Sequence, residues 1–108
     1  MVILCKNDIH MYTIKQLDAF SDWLNGLREH KTRLRLARRL EKTSRGLLGD
    51  VKCVGEGVYE MREHFGAGWR MYYTQRGDAV IVMLGGGDKS SQSEDIKVAL
   101  QRVKLLRD

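Results

Sequence analysis

The sequence predicts an α+β fold: an N-terminal strand, a two-helix hairpin, an antiparallel twisted sheet of about four strands, and a C-terminal helix. Three observations carry that expectation. Apolar residues recur at helical spacing near both ends of the chain. The stretch from Asp50 to Gln92 breaks into short runs rich in β-branched and aromatic residues, separated by glycines. One separator, Arg76-Gly77-Asp78, has the composition of a hairpin turn.

Taken in order, a strand is expected around His10 to Lys15, where Met11, Thr13 and Lys15 alternate with Tyr12 and Ile14. Asp18 opens a short helix whose apolar stripe is Phe20, Trp23, Leu24 and Leu27, with Gly26 fraying its end. A second helix is expected from about Lys31 to Lys42, with Leu34, Leu36, Ala37 and Leu40 inward and the arginines outward. Thr43 to Gly49 breaks it. Two helices joined by a short polar link form an antiparallel hairpin laid on the sheet.

The strand candidates are Val51 to Val54, Val58 to Phe65, Trp69 to Gln75 and Ala79 to Leu84. Alternation puts Val58, Glu60, Arg62 and His64 on one face of the second run, and Arg70, Tyr72 and Thr74 on one face of the third. Arg62 and Arg70 are therefore permitted to share a concave face. After GGGDKSS, Ser91 or Ser93 caps a final helix with Ile96, Ala99, Leu100, Val103 and Leu106 as its stripe.

A chain of 108 residues is expected to form one domain, here 11–108, preceded by a leader, 1–10, with Met11 as an alternative start. Hydrophobic content of 43% and charged content of 31% argue against disorder. Cys5 and Cys53 make no disulfide framework, and the opening MVILCKND is too short an apolar run for a signal peptide or a membrane span. A cytoplasmic location with no membrane partner is the expectation. The net charge of +5 is concentrated: Arg28 to Arg45 holds eight basic residues against Glu29 and Glu41. Such a segment attracts polyanions in a salt-dependent way.

The histidines and cysteines have no metal-ligand spacing, so no metal or cofactor is expected. Gly85-Gly86-Gly87 lacks the GK[ST] ending of a phosphate loop, and no serine or cysteine sits in a nucleophile elbow. What remains is a cluster of Lys52, Arg62, His64, Arg70, Tyr72 and Lys89, which suits a phosphodiester. Cleaving RNA through its own 2′-hydroxyl needs a base, an acid for the departing 5′-oxygen, and fixed positive charge at phosphorus. Arginine forks match the non-bridging oxygens; His64 and Lys52 are both candidates for proton transfer. The competing structural role for Arg62 and Arg70 is pairing with Glu56, Glu60 or Glu63.

The run GDVKCVGEGVYEMREHFGAGWRMYYTQRGDAVIVMLGGGDKSSQSEDI resembles the signature of the HigB-like toxins within the RelE/ParE superfamily, and FSDWLNGL with ARRL resembles its front half. The resemblance spans roughly Tyr12 to Leu106 and implies a RelE-like fold. It also implies mRNA interferase activity, usually at the ribosome, with a HigA-like helix-turn-helix antitoxin as inhibitor and operator DNA bound only through the antitoxin complex. By that resemblance Arg62, Arg70, Lys52 and Lys89 correspond to the superfamily's RNA-contacting basic residues, with His64 as an addition. Arg35, Arg38, Arg39, Lys42, Arg45 and Tyr72 are the expected RNA-binding residues. One departure stands out: ribosome-dependent members often carry a tyrosine or histidine near the C-terminus, and this chain has neither after Tyr73. The alternative function is that of a ParE-like protein that binds gyrase without nuclease chemistry.

Overall fold

The computed structural model describes residues 11–106, so the expected leader, with Cys5 and His10, lies outside the described residues. The chain runs β1 (Thr13–Gln16), α1 (Asp18–Asn25), α2 (His30–Ser44), β2 (Val51–Gly55), β3 (Val58–Arg62), β4 (Arg70–Arg76), β5 (Val80–Gly87), a short 3-10 turn (Lys89–Ser91) and α3 (Gln92–Leu105). The expected α+β architecture is present. β2 to β5 form the antiparallel meander, and β1 adds a fifth strand parallel to β5, giving the order β1-β5-β4-β3-β2.

Each face of the sheet buries its own core. On one face Phe20, Leu36 and Leu40 of α1 and α2 pack on Met61, Met71, Tyr73, Ile81 and Met83. On the other, Ala99 and Val103 of α3 pack on Val58, Tyr72, Val82 and Leu84. Strand alternation, apolar on both sides at the centre, produces this three-layer arrangement.

Four expectations need correction. In α2 the buried residues are Thr32, Leu36, Arg39, Leu40 and Thr43, while Leu34 and Ala37 are exposed. The inward stripe thus includes an arginine and two threonines, which apolar periodicity overlooks. The second run stops at Arg62: Glu63 N–H still donates to the Trp69 carbonyl in the same register, and Gly68 N–H then donates to the Phe65 carbonyl to turn the chain into β4. The triple glycine is strand: β5 continues to Gly87.

The reason lies in side chains packed against that strand. A Cβ on Gly86 would stand 2.3 Å from Trp23, one on Gly85 2.8 Å from Arg102, and one on Gly87 1.8 Å from the Asp95 carboxylate. A bulge makes this possible: Tyr72 pairs with Gly85 and Tyr73 with Met83, so Leu84 is the extra residue. Beyond the bulge, Gly85 and Gly87 meet side chains of α3, and Gly86 meets Trp23 of α1. The helix start also differs. Asp88 accepts from Ser90 N–H to cap the 3-10 turn, and the Ser91 hydroxyl donates to Asp95 and makes no cap bond.

Candidate functional site

Register places the candidate residues in two rows on the α3 face. Lys52, Glu60, Tyr72 and Gly85 are successive partners across β2, β3, β4 and β5. The next row is Arg62, Arg70 and Gly87, with Asp50 at its outer end, where Arg62 N–H donates to the Asp50 carbonyl at 3.0 Å. Arg62 and Arg70 are thus direct cross-strand neighbours. Such neighbours have Cβ atoms about 5 Å apart, and like charges there repel.

Each arginine has its own carboxylate. Arg62 Nη2 donates to Asp50 Oδ1 at 3.2 Å, and Arg70 Nε lies 3.5 Å from Glu60 Oε2. The structural pairing expected for Arg70 therefore exists alongside its place in the cluster, while Arg62 takes Asp50 in place of a glutamate. Arg62 is 32% exposed and Arg70 11%. Burying a carboxylate alone costs on the order of several kcal/mol. Glu60, at 0% exposure, meets that cost by accepting from Tyr72 Oη at 3.0 Å and Gln92 Nε2 at 2.9 Å in addition to the ion pair.

Lys89 joins from the far side. Its N–H donates to the Ala67 carbonyl, and a Cβ on Gly68 would lie 3.3 Å from the Lys89 Cβ and 3.1 Å from Arg70 Nη1. Gly68 has φ +76°, and its carbonyl accepts from Arg70 Nη1 at 2.7 Å. The glycine bracket in FGAGW therefore brings Lys89 and Arg70 together. Lys52 and Lys89 are both exposed.

His64 follows β3 and is 72% exposed, with Nε2 2.6 Å from Asp50 Oδ2. Asp50 thus bridges His64 and Arg62. The hydrogen bond from His64, and then that from Arg62, hold the Asp50 carboxyl below its ordinary 3.8. An ionised carboxylate only accepts, so the shared proton sits on Nε2, and in the neutral ring the lone pair is on Nδ1.

Two expected RNA contacts are corrected. Arg39 is 8% exposed and donates to the carbonyls of Leu48, Asp50 and Arg62 and to the Glu63 carboxylate. It ties α2 to the start of β2 and the end of β3, so it is structural. Tyr72 is fully buried; burial, then the Glu60 charge, pushes its phenol far up, and it remains a protonated donor to Glu60. The other basic residues are exposed: Arg38 and Lys42 on α2, Arg35 with its guanidinium 3.9 Å from the Phe65 ring centre, and Arg45 paired with Glu41. They lie across the sheet from Arg62 and Arg70, and the two groups meet where Arg39 grips residues 62 and 63.

Sequence reasoning offered Glu60 only as a structural partner of the arginines and passed over Asp50 and Gln92. Glu60 had a usable signal, since it alternates onto the Arg62 face of an otherwise apolar strand. Asp50 and Gln92 had none, because the backbone bond to Arg62 brings in the first and the packing of α3 on the sheet brings in the second. Among the described residues no helix is long and apolar enough to cross a membrane.

No family model matches the chain. An uncharacterized protein of Haemophilus influenzae is 35% identical over 86 residues, covering 80% of this chain and 87% of its own length. Among solved structures, a double mutant of the E. coli toxin RelE in the free state has a TM-score of 0.68 at 18% identity, covering 86% of this chain and 98% of that one. The RelBE2 toxin–antitoxin complex of Mycobacterium tuberculosis gives 0.60 at 18% identity, covering 73% and 99%. The chain belongs to the family of the Haemophilus influenzae protein, and its fold is that of the E. coli toxin RelE.

Proposed function

We propose that the protein is the toxin of a type II toxin–antitoxin module: a HigB-like, metal-independent endoribonuclease that cuts translated mRNA in the cytoplasm. A HigA-like helix-turn-helix antitoxin neutralises it, and operator DNA is bound only through that complex. The observation that supports this reading is the Arg62–Arg70 pair. Two guanidinium groups held side by side match the non-bridging oxygens of a phosphate, whose charge grows in the transition state. That the RelE fold also occurs in a toxin–antitoxin complex supports the antitoxin partner.

In this reading Arg62 and Arg70 neutralise the non-bridging oxygens, with Lys52 and Lys89 flanking them. His64 Nδ1 takes the proton of the attacking 2′-hydroxyl, and Asp50 stabilises the imidazolium that forms. The 2′-oxygen bonds to phosphorus as the 5′-oxygen leaves with a proton from a flanking lysine. The products are a 2′,3′-cyclic phosphate and a 5′-hydroxyl end. Arg35, Arg38 and Lys42 draw the ribosome-bound message to the corner at residues 62–65.

Brief expression without the antitoxin, with transcript 5′ ends mapped and DNA supercoiling followed, tests this. New 5′-hydroxyl ends within reading frames are expected. Intact transcripts with failing supercoiling would mean a gyrase-binding toxin instead.

A further inference from the structure

We propose that Glu60 is a positioning residue: its buried carboxylate, clamped by Tyr72 and Gln92, orients the Arg70 guanidinium toward the scissile phosphate. The inference rests on the endoribonuclease reading and deepens it.

The geometry is specific. Glu60 Oε2 takes Tyr72 Oη at 3.0 Å and Gln92 Nε2 at 2.9 Å, so two neutral donors from β4 and α3 fix the carboxylate. Oε2 then faces Arg70 Nε at 3.5 Å. Arg70 Nη1 is taken by the Gly68 carbonyl at 2.7 Å, whereas Nη2 takes no hydrogen bond among the described residues. The Gly68 carbonyl thus holds Nη1, the Glu60 charge faces the Nε edge, and Nη2 is left for an anion.

The nature of the Glu60 contact matters. Arg70 Nε and Glu60 Oε1 are buried without a hydrogen bond, so Glu60 acts on Arg70 through charge and not through a completed bond. An apolar replacement of equal volume commonly matches a buried ion pair in stability. Folding alone therefore does not call for a carboxylate here, and orientation of Arg70 does. Cross-strand pairing with Lys52 on the other side puts the same carboxylate within the row that carries a second cation of the site.

The test uses Glu60→Gln, which keeps the shape and removes the charge, and the milder Gln92→Ala, which loosens the clamp from the start of α3. Two readouts are taken: the Arg70 side-chain Nε–Hε resonance by nitrogen-15 NMR, and kcat and KM for cleavage of a translated reporter mRNA. With the backbone spectrum retained, Glu60→Gln is expected to shift and broaden the Arg70 resonance. It should also lower kcat by about a hundredfold at little change in KM, as misplacement of a reacting group does. In an Arg70→Ala background it should cost nothing further. Gln92→Ala should move both readouts the same way by less, and it decides the matter if Glu60→Gln does not fold. An unchanged Arg70 resonance and kcat in both variants overturns the proposal. So does an equal loss with and without Arg70. If the wild-type protein cuts no RNA, the endoribonuclease reading falls, and the resonance alone decides whether Glu60 holds Arg70.

Discussion

Arg62 and Arg70 face each other across the β3–β4 ladder, and each is restrained by a different carboxylate, Asp50 at the sheet margin and Glu60 beneath the surface. The cations are thus held side by side without either being neutralised by the other's partner. From this arrangement, and from the packing that supports it, several consequences can be measured.

Arginines of α2 should separate into two kinds. Removing Arg39 leaves Glu63 and three carbonyls without their donor, so Arg39→Ala should lower unfolding free energy by about 3 kcal/mol or more in urea melts. Arg38→Ala, at an exposed position, should leave stability within about 0.5 kcal/mol. It should instead weaken RNA binding and reduce the slope of log K against log salt by about one unit or less.

Gly86 is held to hydrogen by the Trp23 ring, 2.3 Å from where a Cβ would stand. Gly86→Ala should destabilise by about 1–3 kcal/mol through overpacking and should alter tryptophan fluorescence. A neutral effect would show that α1 yields without cost.

How much of this was legible in the sequence depended on distance along the chain. The glycine-punctuated strands, the helices and the Arg62–Arg70 face follow from local alternation and turn chemistry. The parallel pairing of β1 with β5 does not, since it joins segments far apart in sequence. Arg39 was misread because helical periodicity counts apolar residues and is blind to an arginine whose charge is met by carbonyls at a chain crossing. The same holds for Glu60: alternation placed it, but only its contacts with Tyr72 and Gln92 explain how a carboxylate stays buried.

Stability should depend on pH at both ends. Burial pushes the Tyr73 phenol up to about 12 from 10.0, with the neighbouring Tyr59 and Tyr12 adding to it. A raised pKa favours the protonated form in the fold. Its stabilisation is therefore complete below pH 10 and lost as the pH climbs toward 12. Tyr72 shifts the same way. Tyrosinate absorbance should thus appear for these two residues only with cooperative unfolding. Asp50 has the opposite sign: its lowered pKa gives stabilisation present above 3.8 and lost as acid protonates it, releasing His64 and Arg62 together. An Asp50→Asn variant should lack that acid transition in the His64 imidazole shifts.

His64 should depend on Asp50 for its role. Asp50→Asn removes the charge and leaves one acceptor oxygen where His64 and Arg62 use two, and should lower cleavage by about tenfold or more, in the range of a lost general base or its orienting partner. In a His64→Ala background it should add only what Arg62 loses. Equal losses in both backgrounds would assign Asp50 to Arg62 alone and leave Lys52 as the base.

The most direct measurement is the cleavage rate of a translated mRNA by the wild-type protein, Arg62→Ala and Arg70→Ala, each checked for an unchanged melting temperature. If the facing arginines stabilise the transition state, each variant should cut at the same positions about a hundredfold more slowly or worse. Undiminished cleavage by both folded variants would contradict the account.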